Sequence, residues 1–193
     1  MNKKAPKMLK FHRGKRRWLA SLKIMGIILL FLLLIATKTI SAEGPLLDIP
    51  DQIPASAGNT VTVPVNFKAN GNAISTIVFS VDYDEKRLSF DPTDGDEDGV
   101  PDAITFNLPA GFNGSVAFDG SDTDGELDFI IADVFPPLSA LPDRTIVYIR
   151  LNVGNLPQSG EAAINFSRDP VASFGNTSGQ SVKGTTNNGS CLY

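Results

Sequence analysis

Residues 74–90 read ISTIVFSVDYDEKRLSF. Within the first ten, Ile77, Phe79, Val81 and Tyr83 alternate with Thr76, Val78, Ser80 and Asp82. Successive side chains of a strand point to opposite faces, so this period of two predicts a strand with one apolar, core-facing side. A second, short strand is expected at Lys86–Phe90. The same alternation recurs outward in both directions. Thr60–Phe67 places Val61, Val63, Val65 and Phe67 on one face, and Arg144–Val153 does so with Val147, Ile149, Leu151 and Val153. Shorter runs at Ser115–Phe118, Leu127–Ala132, Ala162–Phe166, Val171–Phe174 and Gln180–Lys183 bring the expected strands to nine. No amphipathic helix separates them, and Gly, Pro, Asn and Asp punctuate the gaps. Short strands at this spacing predict an all-β protein built as a β-sandwich. Ten phenylalanines in residues 43–193 are expected mostly to fill the space between its sheets.

The charge is divided as sharply as the pattern. The formal net charge is −4, but residues 1–42 hold ten Lys and Arg and no acid. Residues 43–193 hold seven basic residues and all 21 acids, which leaves that portion at −14. A surface of that sign repels phosphate backbones, which argues against nucleic-acid binding. The only histidine is His12, so residues 43–193 cannot form Ser-His-Asp or Cys-His nucleophilic sites or a His-ligated catalytic zinc. The single cysteine, Cys191, has no partner for a disulfide or a thiolate metal site.

The basic front segment reads as an address. A cationic stretch through Lys23 precedes thirteen apolar residues, Ile24–Ala36, and then Thr37–Ala42. That is the order of a secretory signal peptide, with cleavage expected after Ala42. Thirteen apolar residues fall short of the roughly 20 that span a bilayer. Retention as a membrane anchor is the alternative. The expected organisation is a signal peptide (1–42), one sandwich domain (43–184) and a polar, frayed tail (185–193) in a secreted or cell-surface protein, monomeric in solution.

Three stretches together resemble a known module. They are Thr60–Phe67 followed by the Tyr83-Asp84 strand end of residues 74–90; Gly125–Asp133 (GELDFIIAD); and Arg144–Val153 followed by Gly160–Phe166 and Ala172–Phe174. Their order and spacing resemble cohesin domains over residues 46–184. The resemblance implies a nine-stranded jelly-roll sandwich that docks a dockerin-bearing partner, as in cellulosomes and extracellular polysaccharide degradation. It places partner contacts on Thr76, Val78, Ser80 and Asp82, and on Asp133, which matches the acidic residue closing the family's Phe-Ala-Glu strand. Thr76 and Val78 stand where type I cohesins carry Asn and Asp. The resemblance therefore implies a more apolar contact, as in type II cohesins.

Residues 91–102 read DPTDGDEDGVPD. Asp94, Asp96, Asp98, Gly99 and Asp102 fit a D-x-D-x-D-G-x-x-D loop. Calcium takes six to eight oxygens, and this spacing turns alternate carboxylates inward around a glycine turn. The candidate ligands for Ca²⁺ are Asp94, Asp96, Asp98, the Val100 carbonyl and Asp102. The bidentate Glu of an EF-hand is missing: Thr105 stands at its position. A solvated acidic loop is the alternative. A second acidic run, Asp119, Asp122, Asp124, Glu126 and Asp128, reads more simply as the outward face of a hairpin.

No carboxylate pair stands out for glycoside cleavage, so a non-enzymatic binding module is expected. Two rival readings share its fold. A carbohydrate-binding module would stack sugars on flat aromatics, yet residues 43–193 contain no Trp and only Tyr83, Tyr148 and Tyr193. A calcium-stabilised surface or adhesion module is the other.

Overall fold

The computed structural model describes residues 43–120, 125–155 and 158–193. The expected signal segment and the turn at Asp122 and Asp124 lie outside the described residues. Fourteen strands follow one another: β1 (Leu46–Asp48), β2 (Ile53–Pro54), β3 (Thr60–Lys68), β4 (Ile74–Tyr83), β5 (Leu88–Phe90), β6 (Ile104–Phe106), β7 (Phe112–Phe118), β8 (Glu126–Asp133), β9 (Arg144–Val153), β10 (Glu161–Phe166), β11 (Ser173–Asn176), β12 (Ser181–Val182), β13 (Thr185–Asn187) and β14 (Gly189–Leu192). No helix occurs among the described residues.

They form two sheets. One runs β13-β1-β3-β9-β5, with β6 also on β9. The other runs β12-β11-β4-β10-β14-β2, with β8 on the opposite edge of β4 and β7 beyond β8. The alternation read from the sequence is the packing between them. Val61, Val63, Val65 and Phe67 of β3 are buried, as are Ile77, Phe79, Val81 and Tyr83 of β4. In β9 the register slips against β3 between Val65 and Asn66, and Ile146 and Val147 are both buried there. This bulge admits one extra apolar residue to the core.

Aromatic rings tie the core together. Phe79 stacks on Phe129 with ring centroids 4.9 Å apart, Phe166 meets Phe79 edge-on at 5.9 Å, and Phe106 meets Phe129 at 6.3 Å. Nine of the ten expected phenylalanines are buried in the core or packed against it. Phe135 is 72% exposed.

All nine expected strands are present, and five short ones were not read. The expected frayed tail is corrected. Residues 185–192 form β13, parallel to β1, and β14, which lies between β10 and β2. Cys191 is fully buried there, and burial pushes its thiol pKa up. These polar residues are ordered because their backbone completes both sheets.

Candidate functional site

Strand β4 is central in its sheet, so its apolar side is committed to the core and its other side must face outward. Register then decides what lies beside it, because directly opposed residues of antiparallel strands share a face. One row across four strands is Asn113–Ala132–Thr76–Gly175, and the next is Ser115–Ile130–Val78–Ser173. A third is Ala117–Asp128–Ser80, and Asp82 stands between Glu126 and Asn165. Thr76, Val78, Ser80 and Asp82 thus sit on one outer face, as expected from the sequence.

The face changes character along its length. In the first two rows Val78 and Thr76 are half-buried, and Ile130 is 50% exposed. Isolated exposed apolar residues are ordinary, but here Val78, Ile130 and Ala132 adjoin. The other end gathers the carboxylates of Asp82, Glu126 and Asp128. Burial, followed by Asp82 and Asp128 close by, pushes the Glu126 carboxyl up to about 7 even though Ser167 hydrogen-bonds it. Strands β4, β7, β8 and β11 contain no Lys or Arg.

Two sequence-predicted residues have other work. Ser80 is only 2% exposed and hydrogen-bonds the Asp128 carboxylate. Asp133 is only 5% exposed, and its two oxygens accept the N–H groups of Phe135 at 3.2 Å and Ser139 at 2.7 Å. The Ser139 N–H, then that of Phe135, holds the Asp133 carboxyl below its ordinary pKa. The expectation that Asp133 is free to meet a partner is therefore corrected: it fastens the 134–139 connection to the end of β8. Ile130 is the residue that sequence reading missed. Its signal was present, because in DFIIAD Phe129 and Ile131 face the core and Ile130 must face out.

The acidic loop has its own geometry. Asp94, Asp96 and Asp102 each bring a carboxylate oxygen to within 4.8 Å of the others. That span fits oxygens on opposite sides of an ion bound at about 2.4 Å. Asp94 accepts the N–H groups of Asp98 at 3.2 Å and Gly99 at 2.9 Å, and Gly99 takes a φ of 86°, which a side chain would strain. Arg150 donates to the Asp102 carbonyl at 2.9 Å and ties the loop to β9. Asp98 lies outside the cluster; its Oδ1 accepts the Val100 N–H at 2.8 Å. Val100 is half-buried and packs against the core.

On the opposite sheet, Tyr148 is 37% exposed on the outer side of β9, opposite Pro64 and Thr105. Tyr83 is in the core and Tyr193 packs against it. Among the described residues, no second exposed Tyr joins Tyr148 to make a sugar-stacking platform.

The family model described as "Cohesin domain" matches residues 49–192. Among solved structures, the sixth cohesin of Acetivibrio cellulolyticus scaffoldin B, in complex with a mutant Cel5 dockerin, is 23% identical with a TM-score of 0.57, covering 77% of this chain and 97% of that one. The seventh ScaB type I cohesin of Pseudobacteroides cellulosolvens is 16% identical with a TM-score of 0.59, covering 78% and 92%. A cohesin module from a family 33 glycoside hydrolase of Clostridium perfringens is 10% identical with a TM-score of 0.55, covering 78% and 96%. No curated protein sequence matches the chain.

Proposed function

The chain belongs to the cohesin family, and we propose that it is a secreted, non-catalytic module that docks a dockerin-bearing protein through the outer face of β7-β8-β4-β11. The observation that carries this reading is the pairing of Val78 with a half-exposed Ile130 at the centre of that face. Interfaces concentrate their energy in a few central, well-packed residues from which the surrounding contacts exclude water. Thr76, Val78, Ile130 and Asp82 are the contacts, Ser80 supports Asp128 from below, and the partner belongs to extracellular polysaccharide breakdown.

Capture with the full chain from the source's own secretome tests this. Dockerin-bearing proteins should be retained and identified by mass spectrometry. Ile130→Asp should cut the retained amount at least tenfold without moving the thermal midpoint. Retention on insoluble polysaccharide with no dockerin-bearing protein captured would favour a carbohydrate-binding module instead.

We also propose that Asp94, Asp96 and Asp102 hold a calcium ion that stiffens the 91–102 loop. Asp98 lies outside this cluster and would have to turn toward it to join. For a dissociation constant near 0.1 mM, 1 mM calcium stabilises by about 1.4 kcal/mol. The thermal midpoint in calcium should then lie about 3–5 °C above that in EDTA. Asp96→Asn should abolish the difference. Equal midpoints in EDTA and calcium would refute the site.

A further inference from the structure

Of the ten phenylalanines in residues 43–193, Phe135 alone is largely exposed, at 72%, and its neighbour Val134 is 58% exposed. Both directly follow β8, at the end of the docking face where Ala132 pairs with Thr76. The connection that carries them is fastened twice by Asp133 and again by the Leu141 N–H, which donates to the Ile74 carbonyl at 2.7 Å. Leu138 from the same connection lines a shallow groove with Thr76, Ser173 and Gly175, the apolar end of the face. A fixed, exposed aromatic residue loses little conformational entropy when it binds, which makes it a strong anchor.

We propose that the docked partner is read in two halves, with apolar side chains covering Val78, Ile130 and Phe135 and one Lys or Arg side chain seated among Asp82, Glu126 and Asp128. This rests on the docking function proposed above and fixes the chemistry and direction of the partner on the face. Charge complementarity selects the occupant. The strands of the face carry no basic residue, and the net charge of residues 43–193 is −14. Arg168, in the connection after β10, lines a groove with Ser167, Thr186, Asn187 and Asn188. Crowding of Glu126 by Asp82 and Asp128, which contributes to its raised pKa, would be relieved by an incoming cation. A second copy of this chain that pairs the same face with itself brings no cation to that end, because the strands of the face carry none, and an anionic membrane is repelled by it.

The probe is a yeast-displayed library of natural dockerin modules, sorted against the full chain. Recovered dockerins should carry Lys or Arg at a shared position. They should lose at least tenfold in affinity on Phe135→Ser, and about tenfold on combining Glu126→Gln with Asp128→Asn. The loss from the charge variant should shrink as salt is raised, whereas the loss from Phe135→Ser should not. Val134→Ser serves as a second variant if Phe135→Ser lowers the thermal midpoint. Dockerins that bind equally well to all these variants would overturn the two-part reading and leave the docking function standing. Recovery of no dockerin, or a dimer of this chain broken by Phe135→Ser, would overturn both.

Discussion

A chain ended at Gly184 should not fold cooperatively. The nine residues removed include β13 and β14. Strand β14 pairs with β10 on one side and β2 on the other, so its loss leaves two unpaired edges inside one sheet. Backbone bonds from Ala55 to Leu192 at 2.8 Å, from Gly160 to Tyr193 at 2.8 Å and from Ile49 to Asn187 at 3.0 Å go with it. Ser190 is 4% exposed; it accepts the Gln52 N–H at 3.1 Å and donates to Asp51 at 2.9 Å. Removing Cys191 opens a void beside Ala162, its register partner. Each net hydrogen bond contributes about 1 kcal/mol, and a domain is stable by only about 5–15 kcal/mol. Near-ultraviolet circular dichroism and a thermal scan would check this. A truncated chain that melts within a few degrees of the full one would show that the sheets close without these strands.

Phe129→Ala should cost about 3–5 kcal/mol. Phe129 is fully buried, stacks on Phe79 and receives the edge of Phe106. Truncation to alanine leaves a cavity at the centre of the sandwich that neighbouring rings can only partly fill. The thermal midpoint should fall by about 10 °C or more, and Phe129→Leu should recover most of the loss. Urea unfolding gives the energy directly, and a cost below about 1 kcal/mol would contradict the stacked core. The consequence reaches the docking face, because Ile130 is the next residue on the same strand and points the other way. A loosened Phe129 blurs the position of Ile130, so partner affinity should fall although no contact residue has changed.

These two cases show which features were legible in the sequence. Phe129 could be assigned to the core from DFIIAD alone, because a strand's period of two leaves it no other face. β13 and β14 could not be read. TTNNGSCL has no apolar alternation, and its order comes from backbone pairing with β1, β2 and β10, which are remote in sequence. The three-residue β6 was missed for the same reason: it pairs only with β9, across an interval of roughly forty residues. Among the site residues, Thr76, Val78, Ser80 and Asp82 were correctly placed on one face, but parity does not report depth. Ser80 lies beneath Asp128, and Asp133 is turned inward by two backbone N–H groups of its own connection.

Alternating apolar residues determined by themselves an all-β fold, and the composition determined that residues 43–193 carry an excess of acids and no histidine-dependent nucleophilic site. They could do so because periodicity and charge are local properties, carried along the chain whatever it touches. Tertiary structure alone decided that the last nine residues belong to the domain and that Ile130 and Val78 meet at the centre of the face. It also decided that Phe135 stands exposed on a fastened connection, and that Asp94, Asp96 and Asp102 converge while Asp98 does not. Each of these depends on register between strands or on which backbone N–H claims a carboxylate, and neither is written in the residues of any one segment.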